Sequence, residues 1–186
     1  MSFHEGLDDL GTYYQIRKVD GTTPILFVHV VCLDHSMWSP QTDFFKNQTT
    51  IVYDLIGHGY STCTQHEVNF EDFSKQIESL LQILRIQKVV IIGFSLGGLI
   101  AAHFSSTRKH YALKTVLFGT IFNRTDEQRK KASERFINVQ ETYLNAPQQL
   151  DRWFNQDYLS SHPDIAEKIA NILLFVFELR SKISVS

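Results

Sequence analysis

Fifteen consecutive residues constrain this chain more than any others: Lys88-Val-Val-Ile-Ile-Gly-Phe-Ser-Leu-Gly-Gly-Leu-Ile-Ala-Ala. Val89–Ile92 is a β-branched apolar run, the pattern of a buried strand. Gly93-Phe94-Ser95-Leu96-Gly97-Gly98 follows without a gap, and Leu99–Phe104 has the composition of an opening helix. Strand, sharp turn and helix with G-x-S-x-G at the turn is the context of a nucleophile elbow, in which a strained serine holds its hydroxyl clear of the sheet. The flanking glycines fit because a side chain there would press on the adjoining strand or helix. The same residues also admit a glycine-rich turn carrying a solvent serine.

Around this turn the chain alternates. Tyr13–Val19 and Thr50–Leu55 have strand character, and Pro24–Val31 is apolar throughout, as in a parallel strand covered on both faces. Pro40–Phe45 suits a short helix. From Asn69 to Ile86, Phe73, Ile77, Leu80, Leu81 and Leu84 recur at helical spacing, with Asn69 and Asp72 as a start signal. Leu113–Phe118 is a further strand. Alternating strands and helices predict an α/β fold with a mostly parallel sheet and helices on both faces. Beyond it the texture changes: 123–139 is charged and helical with Thr125 as its cap, and Ala146–Phe154 and Pro163–Phe175 add helical segments with no strand between them. The expected organisation is a core at 1–122, a helical layer at 123–175 and an atypical tail at 176–186, able to continue the helix or become a strand.

A length of 186 residues with 43% apolar and 20% charged content suits one globular domain. A net charge of −2 implies neither a nucleic-acid surface nor a polybasic membrane anchor. The opening residues lack a basic-then-apolar leader, no run reaches membrane-span length, and two cysteines, Cys32 and Cys63, suit a reducing compartment. The expectation is therefore cytoplasmic, without a membrane span. Gly93, Gly97 and Gly98 do not make a dinucleotide fingerprint, and no His/Asp cluster or metal-ligand spacing is legible, so neither cofactor nor metal is expected.

Three ordered motifs together, the elbow around Ser95, Asp54-Leu-Ile-Gly-His-Gly-Tyr-Ser61 and the His29 strand end, resemble the α/β-hydrolase superfamily, in particular its small esterase- and lactonase-like members with a helical lid. The resemblance spans roughly residues 10–175. It implies that Ser95 is the nucleophile, that Gly93, Gly97 and Gly98 shape the elbow, and that His29, Asp54, Gly57 and Gly59 are structural loop residues. It implies oxyanion donors at the backbone N–H of Leu96 and, in the loop after the His29 strand, of Val31. Here the chain departs from the family's His-Gly-x-Gly: it has His29-Val30-Val31-Cys32, and Val30 disfavours the positive φ that glycine permits.

The family order places an acid and then a histidine after the nucleophile. The later histidines are His103, inside the elbow helix; His110, at its far end; and His162, between helical segments, a base candidate that is also read as a helix-boundary residue. The resemblance therefore implies a C-terminally shortened hydrolase of small apolar esters or lactones, inactive or impaired as it stands. A non-catalytic binding or interaction module on the same fold is the alternative. Leu113–Phe118 would form an exposed sheet edge prone to self-association.

Overall fold

The apolar runs assemble as a mixed sheet whose C-terminal strand ends gather the loops of interest. The structure is a computed structural model describing residues 1–64, 66–121, 123–137, 150–151 and 153–183, the side chains of 132, 133, 135–137 and 174–183 excepted. Its strands are β1 (Ser2–Leu7), β2 (Tyr13–Lys18), β3 (Ile25–Val28), β4 (Thr50–Tyr53), β5 (Val89–Phe94) and β6 (Ala112–Phe118), in the order β1-β2-β4-β3-β5-β6. The β3–β4, β3–β5 and β5–β6 pairs are parallel; β1–β2 and β2–β4 are antiparallel. The sheet is mostly parallel, as the alternation predicts.

Side-chain alternation divides the core between the two faces. Leu26, Val28, Ile51, Tyr53, Val89 and Ile91 face α2 (Phe70–Ile83) and α3 (Leu96–Thr107), which contribute Phe73, Ile77, Leu80, Leu81, Ile100 and Phe104. Ile25, Phe27 and Val52 face the other way, against Trp38. Trp38 closes a 3-10 turn, His35–Trp38, that leads into α1 (Ser39–Phe44). Each fully buried Leu or Ile is worth about 1.5–3 kcal/mol, so the strands around β5 hold the sheet together. α2 starts at a capping box in which Asn69 accepts from the N–H groups of Glu71 and Asp72, and Asp72 accepts from Asn69.

Three findings differ from the sequence expectation. β1 is an additional strand, paired only with β2 and exposed along most of its length, so no burial pattern announces it. β3 ends at Val28 rather than Val31, because the His29 ring bonds the Val30 carbonyl and the chain turns. Leu113–Phe118 reads as an edge with no charged gatekeeper inside it, and that expectation is corrected: β6 is the outer strand of the described sheet, with Phe118 64% exposed, but Lys114 lies within it, opposite Val90. Past Phe175 the chain continues as helix.

The chain divides into two compact units, Met1–Ile121 and Phe122–Ser186. The second contains α4 (Asp126–Ile137), α5 (Gln156–Ser161) and α6 (Pro163–Ile183). Thr125 and Gln128 cap α4 reciprocally, N–H to side chain, at 3.0 and 3.3 Å. Most of the expected 146–154 helix lies outside the described residues; Leu150, Asp151 and Trp153 are helical. No helix among the described residues is long and apolar enough to cross a membrane.

Candidate active site

The strand-to-helix turn at Ser95 is as sharp as the glycines suggest. Ser95 has φ 52° and ψ −112°, a left-handed, strained conformation for a residue with a Cβ. Its N–H donates to the Phe118 carbonyl at 2.8 Å, one step beyond the β5–β6 ladder, and its carbonyl accepts from the N–H groups of Gly98 and Leu99 at 3.1 and 3.3 Å. The turn closes only because its neighbours lack side chains. A Cβ on Gly93 would meet the Gly97 carbonyl, one on Gly97 the carbonyls of Val28 and His29, and one on Gly98 the Thr120 hydroxyl. The first two obstacles are backbone and cannot swing aside.

Ser95 is half-buried, and no hydrogen bond to its hydroxyl forms among the described residues. Leu96 is the first residue of α3, so its N–H has no partner within the helix and stands at the positive end of the dipole. An acyl carbon bonded to Ser95 Oγ would carry an oxygen for which the Leu96 N–H is a candidate donor.

The end of β3 adjoins the elbow at Gly97, where an added Cβ would meet the Val28 and His29 carbonyls. His29 is fully buried; its Nε2 accepts the Leu55 N–H at 2.9 Å, so the ring proton is on Nδ1 and is donated to the Val30 carbonyl at 2.7 Å. Burial, and next the nearby His58, lower the His29 pKa to about 3, so the ring is neutral and structural. Val30 is buried and Val31 is 41% exposed. The positive φ that the family's glycines would supply occurs here at Cys32, φ 70°, and at neither valine.

Asp54 is the centre of the third loop. Fully buried, it accepts through Oδ1 from His35 N–H at 2.7 Å and His35 Nδ1 at 2.8 Å, and through Oδ2 from Tyr60 N–H at 2.9 Å. Burial acts to lower the His35 pKa, but the hydrogen bond and charge of Asp54 outweigh it and raise it above the ordinary histidine value. Gly57 and Gly59 take φ 72° and 50°, and a Cβ on Gly59 would strike the Asp54 carboxylate. Ser61 donates to the Asp54 carbonyl at 2.6 Å and accepts from Tyr13 N–H at 2.9 Å. Asp54 is thus a scaffold residue.

Sequence reasoning missed His35, whose partner is 19 positions away, and with it the gathering of Asp34, His35 and Asp54, whose ligand-type atoms lie within 4.8 Å of one another. That corrects the reading that no His/Asp cluster exists. Asp34 caps Ser36 N–H at 2.8 Å and the Asp54 oxygens hold the three donors above, so hydrogen bonds organise the cluster.

Neither His103 nor His110 completes a triad at Ser95 in the described residues. His103 bonds the Ser74 hydroxyl at 2.8 Å and stacks on Phe70. His110 stacks on Tyr111 at the far end of the unit. His162 caps α5, donates Nδ1–H to the Tyr158 carbonyl at 3.1 Å and stacks on the Tyr158 ring. Trp153 is exposed, and the Phe136 side chain lies outside the described residues.

Residues 23–180 match the sequence profile of the family described as alpha/beta hydrolase fold. An (E)-2-((N-methylformamido)methylene)succinate hydrolase of Acinetobacter baylyi is 28% identical over 149 residues, covering 80% of this chain and 54% of that protein. A 3-oxoadipate enol-lactonase of the same bacterium is 24% identical over 154 residues, 80% of this chain and 56% of its own. The chain thus spans about half the length of the curated relatives it matches. The enol-lactonase structure from Burkholderia xenovorans superposes with a TM-score of 0.78 at 21% identity, covering 95% of this chain and 69% of that one. A Pseudomonas aeruginosa hydrolase structure gives a TM-score of 0.77 at 18% identity, over 92% and 66%.

Proposed function

The chain belongs to the α/β-hydrolase fold family, and on that premise we propose that it carries the nucleophilic half of a serine hydrolase acting on a small apolar ester or lactone. One observation carries the reading: Ser95 is held at φ 52° on a glycine-cleared turn, directly before the first N–H of α3. In this reading Ser95 Oγ attacks the carbonyl carbon, and the N–H groups of Leu96 and Val31 hold the oxygen as it becomes negative. The Phe94 ring lies against Phe118, and Phe118 and Val31 are exposed, which supports an apolar rim to the site. The names of the relatives, a hydrolase and an enol-lactonase, support the reaction class.

A serine needs an imidazole within hydrogen-bond reach to react at full rate, and none bonds Ser95 among the described residues. Oxyanion contacts and binding alone leave a residual catalysis of about 10³–10⁴-fold over water in serine hydrolases lacking a triad member. The folded chain is therefore expected to be labelled slowly at Ser95 by an aryl phosphonate, with ester turnover residual. Intact mass, with Ser95→Ala as control, reads the first; a short-chain aryl ester reads the second. Loss of both signals in the control supports the hydrolase. Absence of labelling in folded wild type favours the second reading, a binding or interaction module on the same fold, to which the unbonded Ser95 hydroxyl and the valines at 30 and 31 lend support. The exposed apolar residues of β6 suit self-association at that edge; a monodisperse monomer in sedimentation would remove that part.

A further inference from the structure

Strand β6 ends the described sheet on one side, and its hydrogen bonds fix which backbone atoms are left over. The Phe118 carbonyl accepts the Ser95 N–H at 2.8 Å, so at Phe118 the polar groups turn toward β5. That direction alternates from residue to residue along a strand. The groups of Lys114 and Val116, opposite Val90 and Ile92, therefore also turn toward β5, and those of Thr115 and Leu117 turn outward. No described strand pairs with that outer edge. The side chains beside it are exposed as well: Val116 43%, Leu117 51% and Phe118 64%. Thr115 is tied to α3 through the Ser105 hydroxyl at 2.6 Å, which puts Thr115 and Leu117 on that face and Lys114, Val116 and Phe118 on the other. A strand edge that is apolar on both faces is a template for another strand.

The one charge within it selects which strand. Stacking β6 on a copy of itself in parallel register, or antiparallel about Lys114, sets two ammonium groups opposite each other, which is unfavourable. Antiparallel pairing about Val116 avoids this. Lys114 then lies against the exposed Phe118 ring of the other copy, a cation–π arrangement. Val116 meets Val116, and Thr115 lies opposite Leu117, so the outward N–H and C=O groups of both strands bond each other. The irregularity between Val89 and Val90, where β6 steps from Ala112 to Lys114, lies outside this overlap. The opposite sheet edge, β1, fits less well: its acid, Glu5, is already held by Tyr13 Oη and Gln15 Nε2 at 3.0 and 3.2 Å. Pairing β6 with β1 would also propagate as an open chain of copies.

We propose that β6 is the interface of a two-fold homodimer, in which two copies pair antiparallel across Val116 and join their sheets into one. The inference rests on the reading of this edge as a self-association surface, and names its occupant, direction and register.

The test uses the full chain with Cys63→Ser, which removes the exposed thiol. Sedimentation equilibrium over the micromolar range is expected to show monomer and dimer. Val116→Lys sets two like charges face to face and should weaken the dimer ~tenfold or more, with the circular dichroism spectrum unchanged. Val116→Cys reads the register. Opposed residues that share no hydrogen bonds lie about 4.5 Å apart at Cα, within disulfide reach, so mild oxidation should give a covalent dimer. Lys114→Cys, offset from its counterpart along the strands, should not cross-link. Monomer at every concentration overturns both the proposal and the self-association reading. A dimer that survives Val116→Lys, that Val116→Cys does not cross-link, or that Lys114→Cys cross-links as readily overturns the proposal alone. Growth beyond the dimer also overturns it, since a closed two-fold leaves no β6 edge free. If Val116→Lys does not fold, the two cysteine variants decide by the same criteria.

Discussion

Two bends of this molecule place a non-glycine residue in the left-handed region within the same functional end, and they do it by opposite means. At Ser95 the chain removes obstacles: Gly93, Gly97 and Gly98 lack the side chains that would collide with backbone or with Thr120. At Cys32 no glycine clears the way, and the bend lies between two buried histidines hydrogen-bonded to Leu55 and Asp54. One bend is permitted by sterics, the other is flanked by polar contacts. Sterics do not titrate and polar contacts do, which makes the difference measurable.

The largest expected effect is at the elbow. In Gly97→Ala the new methyl would sit against the carbonyls of Val28 and His29, in the sheet interior where neither can move. Overpacking of a core costs typically 1–3 kcal/mol and occasionally more, and a backbone obstacle puts this variant at about 3 kcal/mol or above. The urea midpoint should fall sharply and equally at pH 5 and pH 8. A tolerated alanine would mean that the turn is not held by close approach.

Next comes the pH dependence of the loop after β3. The His29 pKa is lowered from 6.5 to about 3 in the folded chain. Between those values the unfolded chain binds a proton at His29 that the folded chain refuses, so stability falls as pH drops through that window, by up to about 1.4 kcal/mol per pH unit. His35 has the opposite sign. Its folded pKa is raised, so the stability it contributes is fully present below the unfolded value near 6.5 and is lost as pH rises through the raised value. The windows do not overlap, and the joint contribution is greatest near pH 6.5. Urea unfolding from pH 4 to 9 should show both limbs, with His29→Gln flattening the acid limb and His35→Asn the alkaline one. An unchanged acid limb in His29→Gln would assign the effect elsewhere.

Asp54→Asn is smaller but more local. The amide can still accept at one oxygen, while its NH₂ faces a donor that the carboxylate had satisfied. Hydrogen bonds to a charged group are worth about 1.5–3 kcal/mol, and a loss of about 2 kcal/mol is expected. Amide exchange should quicken at His35 and Tyr60, which donate to the carboxylate, and not at Gly98 or Leu99 in the elbow. Exchange that quickens equally in both bends would show them to be one cooperative unit.

The difference between the bends also explains what the sequence reveals. Strand β5, the turn and α3 are local: apolar run, glycines and serine are contiguous, and each states its requirement in place. The α2 start is likewise legible, since Asn69 and Asp72 are three residues apart and bond one another. The histidine contacts on either side of Cys32 are invisible because their halves are 19 and 26 residues distant and involve a backbone N–H that carries no sequence signal. His29 is legible as structural only through the resemblance; His35 has no such support. β1 escapes for another reason: an exposed edge strand needs only a partner's backbone, so Ser2–Leu7 shows no alternation of burial to recognise. Whether Val31 serves as a donor depends on the same non-local contacts, and a residue count from His29 cannot supply them.

The smallest expected effect is the sharpest test of how the two means differ. Cys32→Gly and Arg85→Gly both replace a residue in the left-handed region, at φ 70° and 56°. Arg85 follows α2, where a glycine is the usual helix terminator, and its N–H donates to the Gln82 carbonyl at 3.0 Å. Relief of left-handed strain is worth roughly 1–2 kcal/mol, offset by about 0.4–1 kcal/mol for the added freedom of glycine in the unfolded chain. Arg85→Gly should therefore gain about 0.5–1 kcal/mol. Cys32→Gly should gain the same in stability if strain there is stored in the folded state, since hydrogen bonds can hold a strained residue without removing the strain. Its distinguishing mark is dynamic: exchange of the Leu33 N–H should quicken in Cys32→Gly, because glycine widens the range of conformations open to the bend. Exchange at Arg85→Gly should slow with the added stability. Equal slowing at both sites would mean that the bend at Cys32 is fixed by its own local geometry, and that the histidines merely fill the space around it.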